Sequence, residues 1–326
     1  MEYANVAGLR CSRLALGTAQ LGFAYGLSNR VGQPTKSDAK AILSVAFDGG
    51  VNVLDTAYLY GDSEALIGEV VSSLSAPHDL VIVTKLKKIP LDRELGAAEL
   101  RAEVDESIHT SLKRLRLESV PVYLMHNPQH LTAFGGSIVE QLLRLREQGL
   151  VRHVGISIYT AEEADMALNT EGIEALQVPF NVFDQRLVRS GLFERAGAKN
   201  VAVFVRSVYL KGVVVMDVDE VPEYLDQAIP LKRRLDDVCA KFGRPVTEVA
   251  LKYPLTVTSG TSVLTGVEQV SQMRANLKLF DSPALPGDMV SEIQAAFEDV
   301  PEFVLDPRLW PQEYVAPQKR GNRSPG

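Results

Sequence analysis

Short apolar runs rich in Val, Ile and Leu recur along this chain, and most are followed by a longer stretch in which apolar residues return every three or four positions. Runs of the first kind suit buried strands, and the second spacing marks one stripe of a helix. Strands are expected at 13–18, 51–55, 80–85, 120–126, 151–157, 174–179, 201–205 and 262–264. Helices are expected at about 36–47, 63–74, 97–116, 137–148, 161–169, 187–196, 231–241, 247–253, 268–278 and 287–298, with Pro254 ending the one before it. In the first of these the stripe is Ala39, Ile42, Leu43 and Ala46. Asp48-Gly49-Gly50 reads as its stop. Asp62, Ser63 and Glu64 suit the start of the next helix through capping and the helix dipole.

Two segments interrupt the cycle. Residues 19–34 are rich in Gly and polar residues, and 206–230 carry only short elements; both read as loops. Loops that long in a compact domain are usually functional. The segment from Pro301 is rich in proline and reads as a mobile tail. Strands alternating with helices argue for a parallel sheet, and eight of them for a closed (β/α)8 TIM barrel. Such a barrel needs ~250 residues, so 326 leave room for long catalytic-face loops in a single domain over 1–326, with its core at about 12–300 and a tail over 301–326.

Charge and cysteine narrow the picture. A net charge of −7 argues against nucleic acid or an anionic membrane surface as the main partner. Cys11 and Cys239, far apart in sequence, read as free thiols of a reducing compartment. The first residues lack a basic region followed by an apolar one, and no apolar run approaches ~18 residues, so a cytoplasmic protein without a membrane span is expected. No heptad pattern or obvious interface appears. There is no Gly-x-Gly-x-x-Gly after a strand, no Gly-x-Ser-x-Gly elbow and no metal-ligand spacing, so no metal is expected.

The candidate chemistry lies where strands end. The second strand ends at Asp55, with Tyr60 in the loop behind it; the third ends in Lys85 and the fourth in His126. In a barrel those ends share one face. A tyrosine there can serve as a proton donor or acceptor, although its ordinary pKa is ~10. An ammonium at ~4 Å and an effective dielectric of ~20 favours tyrosinate by about 4 kcal/mol, worth up to ~3 pKa units. Tyr58 and Tyr25 rival Tyr60. His130 is a further candidate for the pocket. Each residue also has a plainer reading: Asp55 as a strand-end cap, Lys85 as a solvated strand end, His126 as a satisfied core histidine.

Taken in order, Leu16-Gly17-Thr18, Asp55-Thr56-Ala57 to Tyr60-Gly61 with Ser63-Glu64 behind, Thr84-Lys85, Met125-His126-Asn127-Pro128, Gly155-Ile156-Ser157 and Gln177 resemble the aldo-keto reductase family over about residues 12–280. The resemblance implies that residues 1–12 form a hairpin plugging the barrel floor. It implies an NAD(P)H-dependent oxidoreductase that interconverts an aldehyde or ketone, a sugar-like one among the options, with its alcohol. Tyr60 would be the general acid/base, Lys85 and Asp55 its tuners, and His126 the donor that orients the carbonyl. Gly17 and Thr18 would border the cofactor. Ser157 and Gln177 would grip the nicotinamide carboxamide, Ser207, Leu210 and Gly212 the pyrophosphate, and Gly266, Gln272 and Asn276 the adenosine end.

Three positions depart from the family pattern. Ile158 stands where the family usually has Asn. Arg206 stands where it often has an aromatic residue; its flat guanidinium suits stacking or an anionic group. Glu268 stands where it tends to have a small polar or basic residue, and a carboxylate there repels a 2′-phosphate unless Arg274 offsets it. NADP is expected on the family's habit, with NAD open. The family's members are commonly monomers. Two other readings stay open: a cofactor-sensing regulatory subunit, since some members are channel β-subunits, and an aldolase that uses Lys85 in a Schiff base.

Overall fold

Eight parallel strands close on themselves, each hydrogen-bonded to the next. In this computed structural model, which describes residues 1–74, 76–258 and 261–311, two antiparallel strands come first, β1 (Tyr3–Val6) and β2 (Leu9–Ser12). The barrel follows: β3 (Leu14–Gly17), β4 (Val53–Asp55), β5 (Val81–Lys85), β6 (Val120–Met125), β7 (Val151–Ser157), β8 (Ala175–Pro179), β9 (Ala202–Arg206) and β10 (Thr261–Gly266). The ring closes where β10 pairs with β3, Gly266 opposite Gly17. The expected (β/α)8 architecture is the one observed.

The strands point alternate side chains inward and outward. The inward set, among them Ala15, Val53, Val81, Val83, Val122, Leu124, Ala175, Ala202, Phe204 and Leu264, forms one buried cluster. Leu9 and Cys11 of the hairpin join that cluster, so the hairpin stoppers the N-terminal end of the barrel. Asn52 ties it down: its side chain accepts from the Ser12 backbone N–H at 2.7 Å and donates to the Arg10 carbonyl at 2.8 Å. The outward set packs with the helices in a second, larger cluster.

The helices start where their sequences offer caps. Thr35 with Asp38, and Thr160 with Glu163, form reciprocal capping boxes ahead of Lys36–Asp48 and Ala161–Leu168. Several expectations differ from the structure. Asp62 makes no side-chain capping bond; Ser63 and Glu64 point into the protein instead. Pro254 does not end its helix, which runs Val246–Val257: a proline lacks only its own N–H, and its carbonyl still accepts from Thr258. The helix expected at 187–196 is two, Arg186–Arg189 and Leu192–Ala198, divided at Gly191. Residues 19–34 contain a short helix, Ala19–Gly22.

The segment read as the start of the tail is built into the barrel. It forms a helix at Glu302–Leu305, and Trp310 is 2 % exposed, its indole N–H donating to the Phe303 carbonyl. The rest of the expected tail, 312–326, lies outside the described residues. Among the described residues no helix is long and apolar enough to cross a membrane. Cys11 and Cys239 are buried and free, and burial pushes the Cys11 thiol up to about 12.

Adjacent strands leave no room at Gly155 on β7. A Cβ there would lie 2.1 Å from the Ala175 carbonyl oxygen and 2.7 Å from a Leu124 methyl. Gly155→Ala is expected to cost about 2 kcal/mol or more by overpacking a rigid ladder. Thermal unfolding of the variant measures it; an unchanged midpoint would show that β7 and β8 can part freely.

Candidate active site

Alternation along each strand decides what reaches the C-terminal mouth. Val53 faces inward, so Asp55 does too; Val83 is followed by Lys85, Leu124 by His126, Gly155 by Ser157, Ala175 by Gln177 and Phe204 by Arg206. Asp55, His126, Ser157, Gln177 and Arg206, with Tyr60 and Tyr159 from the loops, line a cavity of about 640 Å³.

Asp55 and Lys85 are the centre of this end. Lys85 is fully buried, and its ammonium donates to Asp55 Oδ1 at 2.7 Å and to the Thr56 carbonyl at 2.6 Å. Gln177 Nε2 donates to the same carboxylate oxygen at 2.6 Å. A second buried carboxylate stands behind: Glu64 accepts from the Thr84 hydroxyl at 2.7 Å and pairs with Arg114 at 3.2 Å. Burial lowers the Lys85 pKa, and Asp55 opposes the fall.

Tyr60 sits with its ring 5.1 Å from the Lys85 ammonium and edge-on to His126 at 6.0 Å. Its loop is packed against Gly22 so closely that a Cβ there would meet the Tyr60 carbonyl oxygen at 1.7 Å. The downward pull expected from Lys85 is outweighed. Burial pushes the phenol well above its ordinary value, Asp55 adds to the rise, and Arg206 is the cation that pulls it down. His126 is neutral: burial, then Lys85 and Arg206, lower it to about 3. Its Nδ1 is buried without a hydrogen-bond partner among the described residues, leaving Nε2 as the nitrogen open to the cavity.

The rivals separate. Tyr58 turns away, its hydroxyl donating to Glu106 at 3.1 Å beneath Arg114. Tyr25 does line the cavity. His130 does not; it is fully buried in the turn Pro128–Leu131. Among the described residues no His, Cys, Asp and Glu group could hold a metal.

The same cavity reaches the remaining expected positions: Gly17, Thr18, Ser207, Leu210, Gly212, Gly266, Glu268, Gln272 and Asn276. Several are already engaged with one another. Gln272 caps the backbone at Glu268 and Gln269 and donates to the Glu268 carboxylate at 2.8 Å. Asn276 accepts from the Tyr209 hydroxyl at 3.0 Å. Arg274 is exposed and forms no ion pair with Glu268 among the described residues. Arg206 lies over the Tyr159 ring at 4.3 Å and donates to the Ile158 carbonyl at 3.1 Å. Arg308, 3.5 Å from the same ring centre and gripped by Asp306, also lines the cavity. No periodicity or motif marks Arg308 in the sequence.

The sequence model for the aldo/keto reductase family matches residues 13–298. The chain belongs to the aldo/keto reductase family. It is 26% identical over 309 residues to L-galactose dehydrogenase of Arabidopsis thaliana, covering 90% of this chain and 92% of that one. With an aldo-keto reductase of Bacillus subtilis it shares 28% identity over 196 residues, 59% of this chain and 57% of that protein. The solved holo form of an aldo-keto reductase from Bacillus halodurans superposes with a TM-score of 0.71 at 21% identity, over 90% of this chain and 95% of that one, which shows the shared barrel.

Aldo/keto reductases use nicotinamide cofactors, and the residues present suit one. Ser157 and Gln177 are register partners on neighbouring strands and line the cavity together. Beyond them Ser207, Leu210 and Lys211 hold left-handed backbone, with φ of 61°, 45° and 54°. Non-glycine residues in that region cost of order 1 kcal/mol each and cluster at ligand clamps.

Two measurements follow from the buried charges. Lys85→Met leaves Asp55 buried without its cation and is expected to cost about 3 kcal/mol or more, whereas the double variant with Asp55→Asn recovers much of the loss. Equal losses in single and double variants would show that the pair contributes nothing as a pair. Among the described residues neither ring nitrogen of His130 has a partner at hydrogen-bond geometry, and burial lowers it from 6.5 to about 4, with the nearby Ile89 backbone opposing the fall. Its folded value lies below the unfolded one, so stability is complete above pH 6.5 and falls as pH drops toward 4, by up to about 3 kcal/mol. His130→Leu should flatten the decline of the thermal midpoint between those limits; an unaltered slope would move the effect elsewhere.

Proposed function

We propose that this aldo/keto reductase is an NAD(P)H-dependent enzyme that interconverts an aldehyde or ketone with its alcohol, with Tyr60 as the proton donor. One observation carries the reading: at one wall of the cavity Tyr60 stands beside His126, Lys85 and Asp55, its phenol held protonated by burial. A bound reduced nicotinamide would supply the hydride. The chain's own residues do the rest. Ser157 and Gln177 orient the ring amide. Neutral His126 donates from Nε2 to the carbonyl oxygen and sets its direction toward Tyr60. The hydroxyl of Tyr60 passes its proton to that oxygen as negative charge develops. Arg206 then stabilises the tyrosinate left behind, while Asp55 keeps Lys85 charged and in place beside the ring.

NADPH is the proposed donor. Gln272 holds Glu268 by its carboxylate at 2.8 Å, which leaves that group less free to meet a ribose. A soluble monomer in the cytoplasm fits the expectation from sequence, and the substrate is a small carbonyl compound. The aldolase reading loses support because Lys85 is locked between Asp55 and the Thr56 carbonyl and does not line the cavity.

Tyr60→Phe is expected to lower kcat for carbonyl reduction at least about 1,000-fold, at the strong end of general-acid effects, with cofactor affinity changed little. Fluorescence titration with NADPH and NADH in parallel reads the binding. Reduction that survives in the variant removes Tyr60 from the proposed role. Tight binding of cofactor with no turnover of any carbonyl by the native chain would favour the sensing subunit instead.

A further inference from the structure

The carboxylates around the cavity are committed, but two of its cations are not. Asp55 is held by Lys85 and Gln177, Glu268 by Gln272, and Asp306 by Arg308. Arg206 and Lys211, by contrast, have no carboxylate within ion-pair distance among the described residues. Arg206 meets only the Ser207 hydroxyl at 3.2 Å, the Ile158 carbonyl at 3.1 Å and the Tyr159 ring. Lys211 projects its ammonium over the rings of Tyr25 at 5.3 Å and Trp310 at 5.9 Å.

Charges removed from water without a counter-charge are costly, and aromatic faces repay part of that cost only. The strain is visible at Lys211. Burial, then the charge of Arg206, lowers its pKa to about 8. Its backbone is held at φ 54° by the loop of 19–34, where the Leu27 N–H donates to the Lys211 carbonyl at 2.8 Å. A chain with net charge −7 has ample acid, yet among the described residues none pairs with these two cations. The pair stands close to the reacting end. Tyr25 is edge-on to Phe23 at 5.7 Å and Phe23 to Tyr60 at 6.1 Å, while Arg206 acts electrostatically on Tyr60, Lys85 and His126.

We infer that Lys211 and Arg206 bind the acid group of an anionic substrate, so that the enzyme acts on short carbonyl compounds that carry a carboxylate or a phosphate. This rests on the reductase reading above. The cofactor's diphosphate is the competing source of negative charge, and the rings of Tyr25 and Trp310 argue against it for Lys211: they belong to the 19–34 loop and the 301–311 segment, which carry none of the positions expected to border the cofactor.

The test compares matched pairs, succinic semialdehyde with butanal and glyceraldehyde 3-phosphate with glyceraldehyde, in the cofactor-loaded enzyme. At least one charged member is expected to exceed its neutral partner tenfold or more in kcat/KM. Lys211→Met should cut that preference at least tenfold, chiefly through KM, and Lys211→Arg should restore it. No preference in either pair overturns the proposal. So does a Lys211→Met variant whose preference is intact but whose NADPH affinity falls tenfold, which would assign the lysine to the diphosphate. If no carbonyl turns over, the reductase reading fails by itself. Calorimetry on the cofactor-loaded protein then reads the same subsite, with 4-hydroxybutyrate against 1-butanol and glycerol 3-phosphate against glycerol. Tenfold tighter binding of an anion, lost in Lys211→Met, sustains the subsite, and equal binding refutes it.

Discussion

In a closed barrel a side chain goes inward or outward, and the choice reverses at every residue. The core and the site of this protein depend on that alternation together. The inward valines that fill the barrel at Val53 and Val83 are the same frame that brings Asp55 and Lys85 to the mouth. One position off, Thr84 faces the helices and bonds Glu64. A slip of one residue in β5 would exchange them, burying Lys85 in the helical layer and leaving Asp55 without its ammonium. Packing at the floor, down to the Leu9 and Cys11 stopper, therefore sets the chemistry at the top.

The buried charges are arranged as a balance and not as a single tuning pair. Lys85 is countered at 2.7 Å by Asp55, so little of its field is left for Tyr60, and desolvation prevails at the phenol. The cation that acts on Tyr60 is Arg206. One side chain thus shapes both the cavity wall and the electrostatics of Tyr60.

Most of the architecture was legible because a barrel repeats one rule. Each of the eight expected strands is present, and most helix boundaries fall within a few residues of those read from periodicity. Asp55, Lys85 and His126 could be found because each closes an apolar run. What escaped depends on contacts between distant segments. Nothing local at Gln177 announces its bond to Asp55, 122 residues away. Glu64 reads as a helix-start carboxylate until the fold places Thr84 and Arg114 beside it. Pro254 misled because a proline is a break by rule, whereas the helix tolerates one missing N–H when packing holds both sides. Arg308 was hidden by a proline-rich context with no periodicity.

The ring is complete at Gly266, yet the wall beside Tyr159 and Lys211 is finished only by Arg308 and Trp310. Part of the cavity wall is thus encoded after the last strand of the ring. Mutation or recombination downstream of about codon 300 can reshape what the cavity admits without reopening the ring. Specificity in such a chain is free to drift faster than the reaction it serves.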